Sequence, residues 1–177
     1  EWERNFQPVL VGDFCAIRAD FHQPIQNVQH EIIITPKMSF GTGHHATTYL
    51  MIERMGMKSF QDKTVIDFGT GTGVLAILAE KMGAAHIEAI DNDDWSINNA
   101  KENIAANHCT RINLYKAEAI EGKVKADIIL ANINLNVIIS NLDEILNACK
   151  AATDILFSGI LLQDKESIIQ ALEKKGI

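Results

Sequence analysis

What the sequence has little of narrows its class first. No apolar run approaches the roughly 18 residues of a membrane span, so no transmembrane helix is expected. Lysine and arginine form no dense cluster, and the formal net charge is −7. Free-standing nucleic-acid binding needs a basic face for phosphate contacts, so it is not expected here. The acidic balance mildly favours a basic protein substrate. Cysteine is scarce: Cys15, Cys109 and Cys149 are dispersed, odd in number and without C-x-x-C spacing. That argues against a disulfide framework and points to a reducing cytosol with buried structural thiols. The opening Glu1-Trp2-Glu3-Arg4 does not read as a signal peptide, so a cytoplasmic protein is expected. What remains is 177 residues with 47% apolar content, the profile of one globular domain with a real core.

The chain is organised around Val65-Ile66-Asp67-Phe68-Gly69-Thr70-Gly71-Thr72-Gly73-Val74-Leu75-Ala76-Ile77. The apolar, β-branched run Thr64 to Phe68 predicts a strand, and Val74 to Met82 has helical spacing. Strand, glycine turn and helix form the first unit of a doubly wound α/β sheet. The glycines are expected where ligand atoms approach the backbone, and the helix start offers N–H groups to a polar ligand. A dinucleotide fingerprint reads G-x-G-x-x-G, but its third glycine falls on Val74. The spacing D-x-G-x-G-x-G instead resembles motif I of class I S-adenosylmethionine (SAM) methyltransferases. In that family the loop wraps the amino-acid end of SAM, which assigns Gly69, Gly71 and Gly73 to the cofactor. A second acid, Asp91, ends the next predicted strand, 22 positions after Gly69. A carboxylate at that tip suits ribose hydroxyls.

The rest of the chain alternates. Residues 1–35 read as a β-rich segment, with a hairpin at Gly12-Asp13 and a short strand over Glu31–Thr35, packing on the edge of the nucleotide fold. Residues 36–177 read as the SAM-binding domain. Pro36, Gly41 and Gly43 predict a loop, possible flap over the site, running into a helix at Thr47 or Thr48. Adjacent His44 and His45 diverge on a loop and lack companions at ligand spacing, so no metal site is expected. Helices are expected over 73–82, 93–107, 135–148 and 164–175, and strands over 86–91, 112–115, 126–132 and 154–159. This predicts a Rossmann-like, mostly parallel sheet with its crevice past the carboxyl ends of the strands. Glu118 is either a contact for the adenine amino group or a solvated surface residue.

Several stretches together resemble the ribosomal protein L-eleven methyltransferase (PrmA) family. They are Ser39-Phe40-Gly41-Thr42-Gly43-His44-His45-Ala46-Thr47-Thr48, the glycine turn, Asp91-Asn92-Asp93, Leu130-Ala131-Asn132-Ile133 and Ser158-Gly159-Ile160-Leu161, with Asn5-Phe6-Gln7-Pro8. The F-G-T-G-x-H-x-T-T loop is specific to that family, while motif I identifies only the superfamily. The resemblance implies SAM-dependent trimethylation of lysine ε-amines and the N-terminal α-amine of a large-subunit ribosomal protein. A monomer is expected. It implies SAM contacts from Thr48, Gly69, Asp91 and Asn132. Asn132 takes the first place of the N-P-P-Y signature of amine methyltransferases, holding a neutral amine toward the methyl group.

Two departures stand out. The family reads Asn-Ile-Leu after the fourth strand of the nucleotide fold, where this chain has Asn132-Ile133-Asn134. The family also carries an N-terminal recognition domain and further C-terminal strands, so a truncated form is expected. Two other readings compete. One is a SAM methyltransferase for another amine, a nucleic-acid base or small molecule; Ile133 and Asn134 offer no aromatic to stack on a flipped base. The other is a non-enzymatic nucleotide-binding module.

Overall fold

The computed structural model describes residues 6–37 and 46–177. Its centre is a five-stranded parallel sheet in the order β6-β5-β4-β7-β8. These strands are β4 (Thr64–Phe68), β5 (His86–Asp91), β6 (Ile112–Lys116), β7 (Ala126–Asn132) and β8 (Cys149–Ser158). The order reverses between β4 and β7, which is where a doubly wound sheet opens a crevice. Side chains alternate across the sheet. Val65, Ile87, Ala89, Ile128 and Leu130 face one core, and Ile66, Phe68, Ile90 and Ile129 face the other.

Three further strands, β1 (Val9–Val11), β2 (Cys15–Ala19) and β3 (His30–Ile34), form a separate small sheet. The hairpin at Gly12-Asp13 forms as expected, with Val11 opposite Cys15. The expected edge packing does not occur. Ile17, Ile32 and Ile34 share one core with α2 (Val74–Lys81), so the small sheet lies over the helices rather than beside the strands. This explains why α2 is apolar all round: Val74 through Ala79 are all buried between layers. Cys15 is buried in the same core, and its thiol is pushed up to about 12 by that burial.

The remaining helices are α1 (Ala46–Met55), α3 (Asp94–Ala106), α4 (Leu135–Ser140), α5 (Leu142–Asn147) and α6 (Lys165–Glu173). Asp93 caps α3 by accepting from the Ser96 amide at 2.8 Å. The single helix expected over 135–148 is two. Asn141 sits between them and bonds its side chain back to the Val137 carbonyl at 2.9 Å, as does the Ser140 hydroxyl at 3.1 Å. Such local side-chain bonds compete with the helical ladder. The fifth strand of the central sheet also starts earlier than expected, at Cys149, through an irregularity opposite Ala126–Ile128.

Asp67 occupies the inner end of β4 with no solvent exposure. Its Oδ2 accepts the Thr70 hydroxyl at 2.6 Å and the Ala76 amide at 3.2 Å, while its Oδ1 has no partner among the described residues. Burial pushes its carboxyl up from the usual 3.8 to about 7, with Asp91 adding to the rise and the two hydrogen bonds opposing it. The folded chain therefore keeps a proton that the unfolded chain has released. Stability contributed by this proton is complete below the unfolded value of 3.8 and is lost as pH climbs toward about 7. Asp67→Asn should abolish that dependence. The melting temperature of the variant relative to wild type is expected to rise between pH 5 and 7 and then level off; a constant difference would contradict the assignment.

Candidate active site

The turn from β4 into α2 is shaped by backbone conformation. Gly69, Gly71 and Gly73 all have positive φ, at 77°, 55° and 81°. Their amides are bonded inside the protein. Gly69 and Thr70 both donate to the Ile90 carbonyl at 2.9 Å, Gly71 donates to Asp91 Oδ2 at 2.9 Å, and Gly73 donates to the Thr70 carbonyl at 2.9 Å. In the first turn of α2, the Ala76 amide goes to Asp67 and the Ile77 amide to the Gly73 carbonyl. The helix start is thus less open to a ligand than expected.

The reason for two of the glycines also differs from the expectation. A Cβ on Gly69 would lie 2.2 Å from Ile133 Cγ2, and one on Gly73 would lie 3.3 Å from Ala100 Cβ. Protein packing excludes a side chain at Gly69, while at Gly73 the contact is only tight and the positive φ is what favours glycine. Gly69 and Gly71, but not Gly73, line the cleft with Thr48, Asn132 and the threonines of the turn. Ile133 is held from the other side as well: a Cβ on Gly159 would sit 2.7 Å from its carbonyl oxygen. The turn after β7 is therefore wedged between Gly69 and Gly159.

That wedge fixes Asn132. Its Nδ2 donates to Thr48 Oγ1 at 3.2 Å, and Thr48 is itself 1% exposed in the first turn of α1. Asn132 Oδ1 is buried and has no hydrogen-bond partner among the described residues. A buried amide oxygen left without a donor is costly, so it is a place for a donor from outside the fold. Asn134, where the family has an apolar residue, is exposed and caps α4 by accepting the Val137 amide at 3.1 Å. That bond is local to the start of α4.

Asp91 stands at the tip of β5. It accepts the Gly71 amide through Oδ2 and the Asp93 amide through Oδ1 at 3.1 Å. Each carboxylate oxygen can accept more than one bond. Glu118 is exposed and accepts Asn92 Nδ2 at 3.1 Å. Among the expected site residues, Thr48, Gly69, Gly71 and Asn132 line one cleft, Asp91 is bonded to its floor, and Gly73 turns away toward α3. His44, His45 and the rest of the loop 38–45 lie outside the described residues, as does Asn5. Thr70 and Asn103 were not singled out in the sequence, and Ile133 was read only as lacking an aromatic ring; the asparagines at four-residue spacing from Asn99 to Asn107 were the one signal for Asn103. The enclosed part of the cleft is about 30 Å³. A larger cavity of about 420 Å³ lies on the other side of the sheet over Glu88, Asn113 and Tyr115, where Glu88 already receives Asn113 Nδ2 at 2.9 Å. No group of three potential metal ligands occurs among the described residues.

The family model described as "Ribosomal protein L11 methyltransferase (PrmA)" matches residues 1–177. Curated relatives named ribosomal protein L11 methyltransferase include one from Phocaeicola vulgatus, 41% identical over 100% of this chain. One from Chlorobaculum tepidum is 41% identical over 98% of it. The chain spans 64% and 62% of the length of those relatives. The crystal structure of ribosomal protein L11 methylase from Lactobacillus delbrueckii superposes with a TM-score of 0.87 at 31% identity, covering 96% of this chain and 88% of that one. A precorrin-6y C5,15-methyltransferase from Geobacter metallireducens shares the fold, with a TM-score of 0.59 at 18% identity. Matched by the family model along its whole length, and 41% identical to named members, the chain belongs to the ribosomal protein L11 methyltransferase (PrmA) family.

Proposed function

We propose that this chain is a SAM-dependent protein N-methyltransferase acting on lysine ε-amines and the N-terminal α-amine of a large-subunit ribosomal protein, in the cytoplasm. Residues 36–177 carry the chemistry and the small sheet packs on them. The observation that carries the reading is Asn132 Oδ1, buried and unpartnered among the described residues, beside the glycine turn. An amine N–H is a donor that such an oxygen would hold.

The donor set fits SAM. Asp91 has lone pairs for ribose hydroxyls at the strand tip, and Gly71 leaves the floor of the cleft without a side chain. The cleft beside these residues encloses about 30 Å³, so most of a ligand of that size would sit outside the enclosed part. When bound, SAM supplies a methyl group on a positive sulfur that is already reactive. The chain then chiefly supplies orientation. Asn132 would accept a hydrogen bond from the incoming amine and aim its lone pair. Thr48 keeps the Asn132 amide in the required rotation by taking its Nδ2 bond. Ile133, wedged between two glycines, keeps the turn from shifting.

Two substitutions separate binding from chemistry. Asp91→Ala should weaken SAM binding by about 1–3 kcal/mol, through the lost ribose contact and a looser glycine turn. A dissociation constant equal to wild type in calorimetry would remove Asp91 from the site. Asn132→Ala should lower kcat on the order of 10²-fold while changing SAM affinity much less. Methyl transfer to the ribosomal protein at the wild-type rate would defeat the orienting role, and transfer only to a free base or small-molecule amine would favour another acceptor.

A further inference from the structure

Helix α3 and its C-cap residue present three buried asparagines, Asn99, Asn103 and Asn107, at four-residue spacing. They face the outer edge of β3 and the segment that continues it. Asn107 Oδ1 accepts the Ile33 amide at 2.9 Å and its Nδ2 donates to the Ile33 carbonyl at 2.6 Å. Asn103 Oδ1 accepts the Thr35 amide at 2.8 Å. Asn99 Nδ2 donates to the Thr35 carbonyl at 3.4 Å. From Asn107 to Asn103 the spacings match: four helical residues rise about 6 Å, and the two strand residues from Ile33 to Thr35 about 6.6 Å, while Asn99 shares Thr35 with Asn103. The row thus satisfies the strand edge as a neighbouring strand would.

Asn103 does more than its neighbour Asn107. Its Nδ2 donates to the Thr72 carbonyl, in the glycine turn, at 2.8 Å. One buried amide therefore holds Thr35 and the glycine turn at once. At the exposed end of the segment, Lys37 pairs with Glu102 at 2.6 Å, a contact worth little on its own. Asn107 touches β3 and α3 but not the turn, which makes it an internal comparison.

We propose that Asn103 is a positioning residue of the cofactor site, coupling the glycine turn to the segment 33–37 so that SAM bound at the turn orders that segment too. The inference rests on the SAM reading given above. A two-faced buried amide transmits position in both directions: tightening the Thr72 carbonyl fixes the side chain that receives the Thr35 amide. Replacing it removes the hydrogen bond that ties each of these two backbone groups to α3.

The test is hydrogen–deuterium exchange of the peptide spanning 31–37, with and without saturating SAM, in wild type, Asn103→Ala and Asn107→Ala. SAM should slow exchange of the Thr35 amide about tenfold in wild type and in Asn107→Ala, even though Asn107→Ala melts at a lower temperature. In Asn103→Ala that slowing should vanish, and the dissociation constant of SAM should rise about tenfold. A merely structural asparagine would lower the melting temperature without moving either readout. SAM that binds wild type but leaves Thr35 exchange unchanged overturns the coupling and leaves the cofactor reading standing. SAM that does not bind wild type overturns both. Should Asn103→Ala fail to fold, the wild-type arm decides alone.

Discussion

The turn between β4 and α2 holds its form because its amides are bonded to the tip of β5. Gly69 and Thr70 share the Ile90 carbonyl, and Gly71 is taken by Asp91. These bonds bring three positive-φ glycines in succession to the mouth of the sheet, at the point where strand order reverses. Everything else at the site is placed relative to that turn. Asp67 braces it from beneath, Ile133 packs on Gly69, and Ala100 and Asn103 hold its far end against α3.

Asp91 therefore has two tasks. It fastens the turn through one backbone amide and keeps further lone pairs at the strand tip. Its placement couples the shape of the turn to anything bound there. Asn132 shows a similar economy: its nitrogen is fixed by Thr48 and its oxygen stays unpartnered among the described residues. A side chain held by one end and open at the other suits orientation, the part of a methyl transfer that a protein can supply when the donor is already activated.

Much of this was legible in the sequence. The glycine turn, the strand ending at Asp91 and the strand ending at Asn132 all fall where the alternation of apolar runs put them. Parallel strands buried on both faces leave an unmistakable apolar run. Other features depended on contacts distant in sequence. The glycines were read as making room for ligand, yet at Gly69 the neighbour is Ile133, 64 positions on. The break at Asn141 and the cap at Asn134 are local, but asparagine serves caps, breaks and helix interiors alike, so its type alone did not decide. The asparagine row on α3 was missed because polar residues in a helix ordinarily face solvent; here they face a strand edge that periodicity cannot place.

The roles of Asp91 and Asn132 depend on the cleft at the glycine turn being a SAM site. Calorimetric titration of SAM into this chain, with NADH as the comparison ligand, tests that most directly. Saturable binding of SAM with none of NADH is the predicted result. Binding of NADH, or no binding of SAM by a chain whose circular dichroism shows it folded, would contradict it.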